Sequence, residues 1–99
     1  METILPTEIK ARLAQGEKLT IVDVREDEEV AEGMITGAIH IPLGQIPERL
    51  SEIPKHDEVI LVCRSGNRSS RALGYLEANG FKGLKNMTGG MLAWEDEAN

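Results

Sequence analysis

The sequence Val59-Ile60-Leu61-Val62-Cys63-Arg64-Ser65-Gly66-Asn67-Arg68-Ser69-Ser70-Arg71 decides how this chain is interpreted. It runs from an apolar segment into a short polar loop, and the residues after the loop have helical spacing. Cys63, the only cysteine of the protein, lies where the apolar segment meets the loop. In a doubly wound α/β fold, ligands bind beyond the carboxyl ends of the strands, which is where this junction would lie.

The loop has the composition of an anion-binding site around a reactive thiol. A helix N-terminus offers unpaired N–H groups and a positive dipole end, and neighbouring arginines also lower a cysteine's pKa. We expect Gly66 at positive φ, so that consecutive backbone N–H groups curl around the sulfur. A lone cysteine after an aliphatic strand is otherwise usually an inert core residue. The small polar residues and the arginines favour a nucleophilic thiolate at Cys63.

Length, charge and cysteine content limit the possible functions. The 99 residues suffice for one domain, predicted to span 1–99. A formal net charge of −6 argues against nucleic-acid and anionic-membrane binding. A single cysteine excludes an internal disulfide, a dithiol redox pair and a zinc ribbon, and we predict no metal and no cofactor. Neither a signal peptide nor a membrane span is recognised, so a cytoplasmic protein is expected.

Positive charge is concentrated next to the cysteine. Arg64, Arg68 and Arg71 lie in the window 64–71, which contains no acidic residue and carries +3. Against −6 overall, the rest of the chain therefore carries −9. Such a distribution favours an anionic ligand at the loop.

Hydrophobic spacing predicts alternating helices and strands. Leu5, Ile9 and Leu13 indicate a first helix, with Thr7 as its N-cap and Gly16 just beyond its end. The acidic residues 26–29 are interpreted as a solvated helix face. Strands are predicted at 19–24, 37–42, 59–62 and 83–87, and further helical segments at 43–50, from the loop to Gly80, and at 91–94. This alternation predicts a mostly parallel α/β sheet of about five strands with helices on both faces.

The loop Cys63-Arg64-Ser65-Gly66-Asn67-Arg68-Ser69 resembles the active-site loop of the rhodanese family of sulfurtransferases, in its single-domain form. Two flanking stretches match in the same order. The amino-terminal signature of the family is resembled by Asp23-Val24-Arg25-Glu26, with Glu29, Gly33 and Gly37-Ala38-Ile39-His40-Ile41-Pro42. Gly89-Gly90 with Trp94 resembles the carboxy-terminal one. The resemblance covers nearly the whole chain and implies a rhodanese-like fold.

The resemblance also implies a double-displacement reaction. Cys63 would take a sulfane sulfur from a donor such as thiosulfate, forming a persulfide. An acceptor would then remove it, either cyanide or a thiol such as thioredoxin or glutathione. Arg64 and Arg68 would attract the anionic end of the donor, with Arg68 helping to hold the loop. The other residues assigned to the substrate-binding loop are Ser65, Gly66, Asn67 and Ser69.

Two alternative functions are also compatible with the sequence. One is a sulfur-carrier or interaction module that a partner enzyme loads with sulfur. The other is a small cysteine-dependent phosphatase or arsenate reductase, built on a similar loop. Loop length favours sulfur transfer, because four residues separate Cys63 from Arg68 and the related phosphatases hold their larger phosphoryl group in a loop one residue longer.

A few other positions are interpreted as structural. Asp23 and Arg25 are expected mainly to brace loops at the carboxyl edge of the sheet; the alternative is a direct role at the site, since charged groups near strand ends lie where ligands bind. Val30, Met34 and Thr36 depart from the residues common in the family, which bears on packing or on the rim of the site rather than on the chemistry.

Overall fold

A computed structural model of the protein describes residues 1–96, in which a five-stranded sheet has all its strands parallel. In chain order the strands are β1 (Thr3–Ile4), β2 (Ile21–Asp23), β3 (Ile39–His40), β4 (Val59–Val62) and β5 (Leu84–Met87). Their order across the sheet is β1-β5-β4-β2-β3, which puts β4 in the middle. The predicted domain 1–99 extends past this part of the chain, since 97–99 lie outside the described residues.

Helices lie between the strands, and the last helix follows β5. They are α1 (Pro6–Ala14), α2 (Asp27–Val30), α3 (Asn67–Ala78) and α4 (Gly90–Asp96), with 3₁₀ helices at Leu43–Glu48 and Leu50–Glu52 between β3 and β4. The parallel sheet with helices on both faces confirms the fold class predicted from the sequence.

The side chains of β4 alternate between two cores, one on each face of the sheet. Val59, Leu61 and the following Cys63 pack with side chains of α3. Ile60 and Val62 pack on the opposite face with side chains of α1 and α4. Because the strand is central and covered on both faces, it is apolar throughout. The end of this buried strand therefore holds Cys63 in a fixed position.

The first helix begins earlier than predicted. Leu5 occupies the N-cap position and Pro6 is the first helical residue, so the assignment of Thr7 as N-cap was wrong. Proline suits the first turn because it lacks an N–H that would have no helical partner there and its φ is already helical. Gly16 follows the C-cap at a φ of +87°, as expected for a residue that ends a helix.

Two further differences concern short elements. The sequence did not predict β1, a two-residue strand that pairs with β5, because so short a segment carries no periodic signal. The helical segment expected at 43–50 is 3₁₀ rather than α, and Pro47 lies inside it. A proline in that position removes a backbone donor that an α-helix would need.

Candidate active site

The polar loop bridges β4 and α3. Cys63 directly follows β4, and α3 starts at Asn67 after the N-cap residue Gly66, which has a φ of +107°. An added Cβ at Gly66 would meet nothing closer than 3.8 Å, so the glycine is needed for its backbone conformation rather than for space. Ser65 and Asn67 are both exposed at the mouth of the loop. The expected positive φ at Gly66 is confirmed.

The sulfur of Cys63 lies at the base of this loop and accepts hydrogen bonds from it. The backbone N–H of Gly66 donates to Sγ at 3.0 Å, and the Ser69 hydroxyl lies 3.2 Å from Sγ. Cys63 is only 1% exposed and Ser69 is fully buried. The start of α3 therefore points backbone and side-chain donors at a desolvated sulfur.

These donors outweigh the effect of burial on the pKa of the thiol. Burial is the largest single influence and raises the pKa of Cys63, because a thiolate loses solvation inside the protein. Hydrogen bonds from the Ser69 hydroxyl and from the backbone N–H groups of Ser69, Gly66 and Ser65 lower it. Their sum leaves the pKa of Cys63 below its ordinary value of 9.0. The loop thus favours the thiolate, which is the nucleophilic form.

The three arginines that lie together in the sequence have different surroundings in the structure. Arg68 is partly buried, and both of its terminal nitrogens donate to the carboxylate of Glu29, at 2.6 and 2.8 Å. This bond holds the pKa of Glu29 down at about 2. Arg64 is exposed, and no residue within 1–96 forms an ion pair with it. Arg71 is exposed on α3, beside a small apolar groove.

Glu29 corrects the interpretation of the acidic run 26–29 as a solvated face. Glu26, Asp27 and Glu28 are exposed, but Glu29 is half-buried against Arg68. The run alone contains no signal for this, because the partner lies 39 residues away. Glu29 does, however, lie four residues after Arg25, in the stretch that resembles the family signature. That resemblance was the available signal that Glu29 has a role beyond the solvated face.

Asn86 is a second residue that sequence reasoning missed. It lies in β5 with 5% exposure, its Oδ1 faces the Ser69 hydroxyl at 2.5 Å, and its Nδ2 donates to the Gly66 carbonyl at 3.1 Å. Asparagine is unfavourable in a strand. Its presence in the segment Leu84–Met87 is therefore a signal that could have marked the position.

The start of α4 holds the outer side of the loop. The backbone N–H of Met91 donates to the Cys63 carbonyl at 2.8 Å, and that of Leu92 donates to the Arg64 carbonyl at 3.0 Å. Gly90 has a φ of +60°, and an added Cβ there would lie 2.6 Å from the Cys63 carbonyl oxygen and closer still to the Arg64 carbonyl. Glycine at position 90 therefore lets α4 approach the loop backbone.

Asp23 and Arg25 form a buried brace at the end of β2. The carboxylate of Asp23 accepts from Nε and Nη2 of Arg25 at distances between 2.8 and 3.1 Å. Arg25 also donates to the Gly33 carbonyl at 2.7 Å, and His40 bonds the Arg25 carbonyl through Nε2 at 2.7 Å. These contacts tie the α2 region to β2 and β3, in agreement with the structural role predicted for the pair.

An open cavity of about 640 Å³ lies on one side of the loop. Arg64 lines it, together with Met34, Leu92 and Trp94, whereas Cys63 does not. Met34, one of the departures from the family pattern, is therefore a wall residue of this cavity, and Val30 is half-buried at the end of α2. Over residues 1–96, no three side chains of His, Cys, Asp or Glu are grouped as a metal site would require. No helix in that part of the chain is both long enough and apolar enough to cross a bilayer.

The fold and the site together define an α/β domain with a parallel sheet, in which a buried cysteine receives N–H and O–H donors at the N-terminus of a helix. The chain matches the family described as Rhodanese-like domain over residues 5–97. It therefore belongs to the rhodanese-like domain family, as the motifs predicted.

Individual relatives agree with this assignment. The chain is 49% identical over 89 residues to "Putative sulfurtransferase YtwF" of Bacillus subtilis (strain 168), covering 90% of this chain and 85% of that protein. It is 44% identical over 86 residues to a protein of Allochromatium vinosum named "Sulfurtransferase", covering 87% and 80%. The crystal structure of a rhodanese-like domain protein from Staphylococcus aureus has a TM-score of 0.89 at 42% identity, covering 95% of this chain and 91% of that one. Close relatives of this chain are thus named sulfurtransferases.

Proposed function

We propose that this protein is a sulfurtransferase that carries sulfane sulfur on Cys63, with thiosulfate or a persulfide as donor and a thiol or cyanide as acceptor. The observation that supports this most directly is the position of Sγ, buried at the base of the loop with Gly66 N–H and the Ser69 hydroxyl pointed at it. The names of the relatives support the same class of reaction.

The first half-reaction loads the sulfur. The Cys63 thiolate attacks the outer sulfur of thiosulfate, and a bond forms between that sulfur and Sγ. The bond between the two sulfurs of thiosulfate breaks, and its electron pair leaves with sulfite. The enzyme then carries a persulfide with one negative charge on the terminal sulfur, where loop N–H groups and the α3 dipole would stabilise it.

The second half-reaction returns the cysteine. An acceptor thiolate attacks the terminal sulfur of the persulfide, and the bond between Sγ and that sulfur breaks with its electron pair going to Sγ. The products are the acceptor persulfide and the Cys63 thiolate. Covalent catalysis of this kind replaces one difficult transfer with two easier displacements.

Arg64 is the side chain we assign to the anionic end of the donor. It is exposed at the loop, it lines the adjoining cavity and it pairs with no acid in residues 1–96. Arg68 holds the loop through Glu29, because its guanidinium is already bound by a carboxylate. In this assignment Ser65 and Asn67 border the opening through which donor and acceptor approach.

The test is the mass of the intact protein after incubation with a sulfur donor. Wild type should gain one sulfur atom from thiosulfate, and reduction with a thiol should remove it. Cys63→Ser should gain nothing, because it lacks the only thiol of the chain. Failure of wild type to gain sulfur from either thiosulfate or a small-molecule persulfide would refute the proposal.

The same experiment separates the alternatives. Loading by a persulfide with no loading by thiosulfate would identify a carrier module that depends on a partner enzyme. Cysteine-dependent hydrolysis of an aryl phosphate without sulfur loading would identify a phosphatase instead. We expect no such hydrolysis, because the phosphatase loop is one residue longer and the loop arginine here is bound to Glu29.

A further inference from the structure

Two buried acceptor atoms, Cys63 Sγ and Asn86 Oδ1, compete for the single hydrogen of the Ser69 hydroxyl. The Ser69 Oγ lies 3.2 Å from Cys63 Sγ and 2.5 Å from Asn86 Oδ1. A hydroxyl has one hydrogen, so it donates to the sulfur or to the amide oxygen but not to both. Ser69 is fully buried and Asn86 is 5% exposed, so bulk water does not supply the missing donor.

The Asn86 amide is held in one orientation. Its Nδ2 donates to the Gly66 carbonyl at 3.1 Å, which directs Oδ1 toward Ser69. The reversed amide would place Oδ1 against the Gly66 carbonyl, bringing two acceptors together. Asn86 therefore presents Ser69 with an acceptor and never with a donor.

The charge on Sγ then decides where the hydrogen goes. With a neutral thiol, the Cys63 S–H donates to Ser69 Oγ, and the hydroxyl donates to Asn86 Oδ1. With a thiolate, Sγ is an acceptor only, so the hydroxyl turns to the sulfur and leaves Asn86 Oδ1 facing an oxygen lone pair. In the persulfide the negative charge moves to the terminal sulfur, which again reduces the demand for a donor at Sγ.

We infer that Asn86 is a positioning residue that holds the Ser69 hydroxyl hydrogen while Sγ is uncharged and releases it to Sγ when the sulfur becomes anionic. The inference rests on the proposed use of Cys63 as the sulfur-carrying nucleophile. Asn86 would therefore oppose ionisation of the free enzyme, and the Ser69 hydroxyl would favour it. In the second half-reaction, the hydroxyl would turn toward Sγ as the electron pair of the broken sulfur–sulfur bond arrives there.

Several charged side chains lie around the loop. Within residues 1–96, none of them is a hydrogen-bond partner of the Ser69 hydroxyl or the Asn86 side chain. The effect assigned to Asn86 is therefore separable from theirs by substitution. They are Arg64 in the loop, Arg68 on α3, Glu29 on α2, and the Asp23–Arg25 pair at the end of β2.

The inference predicts opposite shifts for two substitutions. Asn86→Leu removes the competing acceptor, so the Ser69 hydroxyl is free for the thiolate and the Cys63 titration midpoint should fall by about half a unit to one unit. Ser69→Ala removes the donor, so the midpoint should rise by a similar amount. A residue that only supported the loop would raise the midpoint when removed. The Gly66 carbonyl keeps a partner in Asn86→Leu, because the Ser70 N–H also donates to it at 3.2 Å.

The experiment follows the ultraviolet absorbance of the thiolate against pH, with the Cys63→Ser spectrum subtracted. It uses wild type, Asn86→Leu, Ser69→Ala and the double variant, and Ser70→Ala is the control on the same helix. In the double variant, Asn86→Leu should cause no further shift. Asn86→Ala replaces Asn86→Leu if thermal unfolding shows that the leucine is not accommodated. The inference would be overturned if the Cys63 titration midpoint of Asn86→Leu rose or stayed unchanged. It would also be overturned if Asn86→Leu shifted the midpoint equally with Ser69 present and with Ser69→Ala. The titration uses no sulfur donor, so its result does not depend on whether the protein can be loaded with sulfur.

Discussion

Both terminal nitrogens of Arg68 donate to the carboxylate of Glu29, at 2.6 Å to Oε1 and 2.8 Å to Oε2. The pair connects the first turn of α3 to α2, and neither side chain is more than 30% exposed. A bidentate pair between arginine and carboxylate fixes direction as well as distance. It therefore holds the helix whose N-terminus points at Cys63.

Glu29→Gln should lower the free energy of unfolding by about 1 kcal/mol, because the bidentate ion pair becomes a single hydrogen bond from Arg68 to an uncharged amide oxygen. Sulfur loading of Cys63 should also slow, since the first turn of α3 loses an anchor. Urea denaturation and intact-protein mass spectrometry measure the two effects. Glu28→Gln makes the same charge change at an exposed neighbour. Equal effects of the two substitutions would show that the pair does not support the loop.

Cys63 should ionise below the ordinary thiol pKa of 9.0, because the hydrogen bonds of the loop more than offset burial. The thiolate absorbance of native protein should therefore rise at lower pH than that of the same protein unfolded in urea. A native midpoint at or above the unfolded one would mean that desolvation dominates and that the loop does not stabilise the anion.

Gly90→Ala should destabilise the protein by about 2 kcal/mol, because alanine must adopt positive φ and its Cβ meets the loop backbone. Sulfur loading should fall with it, since α4 can no longer bond the Cys63 and Arg64 carbonyls as it does now. Gly74→Ala is the matched control. That glycine lies inside α3 with nothing within 4 Å of an added Cβ, so the substitution should stabilise by up to about 1 kcal/mol. Similar stabilities for the two variants would contradict the close approach of α4.

Low pH should lower the free energy of unfolding, in part through protonation of Glu58. Its carboxylate accepts from Arg12 and Lys85, each at a shortest distance of 2.6 Å, and the Arg12 bond is the main reason that its pKa lies at about 2 instead of 4.5. A carboxylate with a depressed pKa contributes stability above its unfolded pKa, and that stability is lost as the pH falls toward the folded one. Between about pH 4.5 and pH 2, wild type should therefore lose more stability than Glu58→Gln. The measurement is the free energy of unfolding from urea titrations at each pH, and parallel curves for wild type and Glu58→Gln would show that Glu58 makes no such contribution. Glu48→Gln, at an exposed position, is the control and should follow wild type.

Much of the fold could be predicted because its signals are local. The apolar segment before Cys63 forms the central strand β4 as predicted, and Gly80 follows the end of α3 at a φ of +86°. The two-residue strand β1 and the 3₁₀ helices were missed, because a strand that short gains its hydrogen bonds from β5 rather than from its own pattern. The 3₁₀ geometry at Pro47 likewise depends on how the chain packs locally.

The sequence by itself determined the candidate nucleophile, the small loop around it and the family to which the chain belongs. Those features are contiguous, and glycine, serine and arginine next to a single cysteine carry their chemical meaning wherever they fold. Tertiary structure alone decided which side chains surround the sulfur. Glu29, Asn86 and Gly90 come from separate elements, and only the sheet order and helix packing bring them to the loop. The protonation of Cys63 thus depends on a balance between burial and donors that no linear pattern encodes.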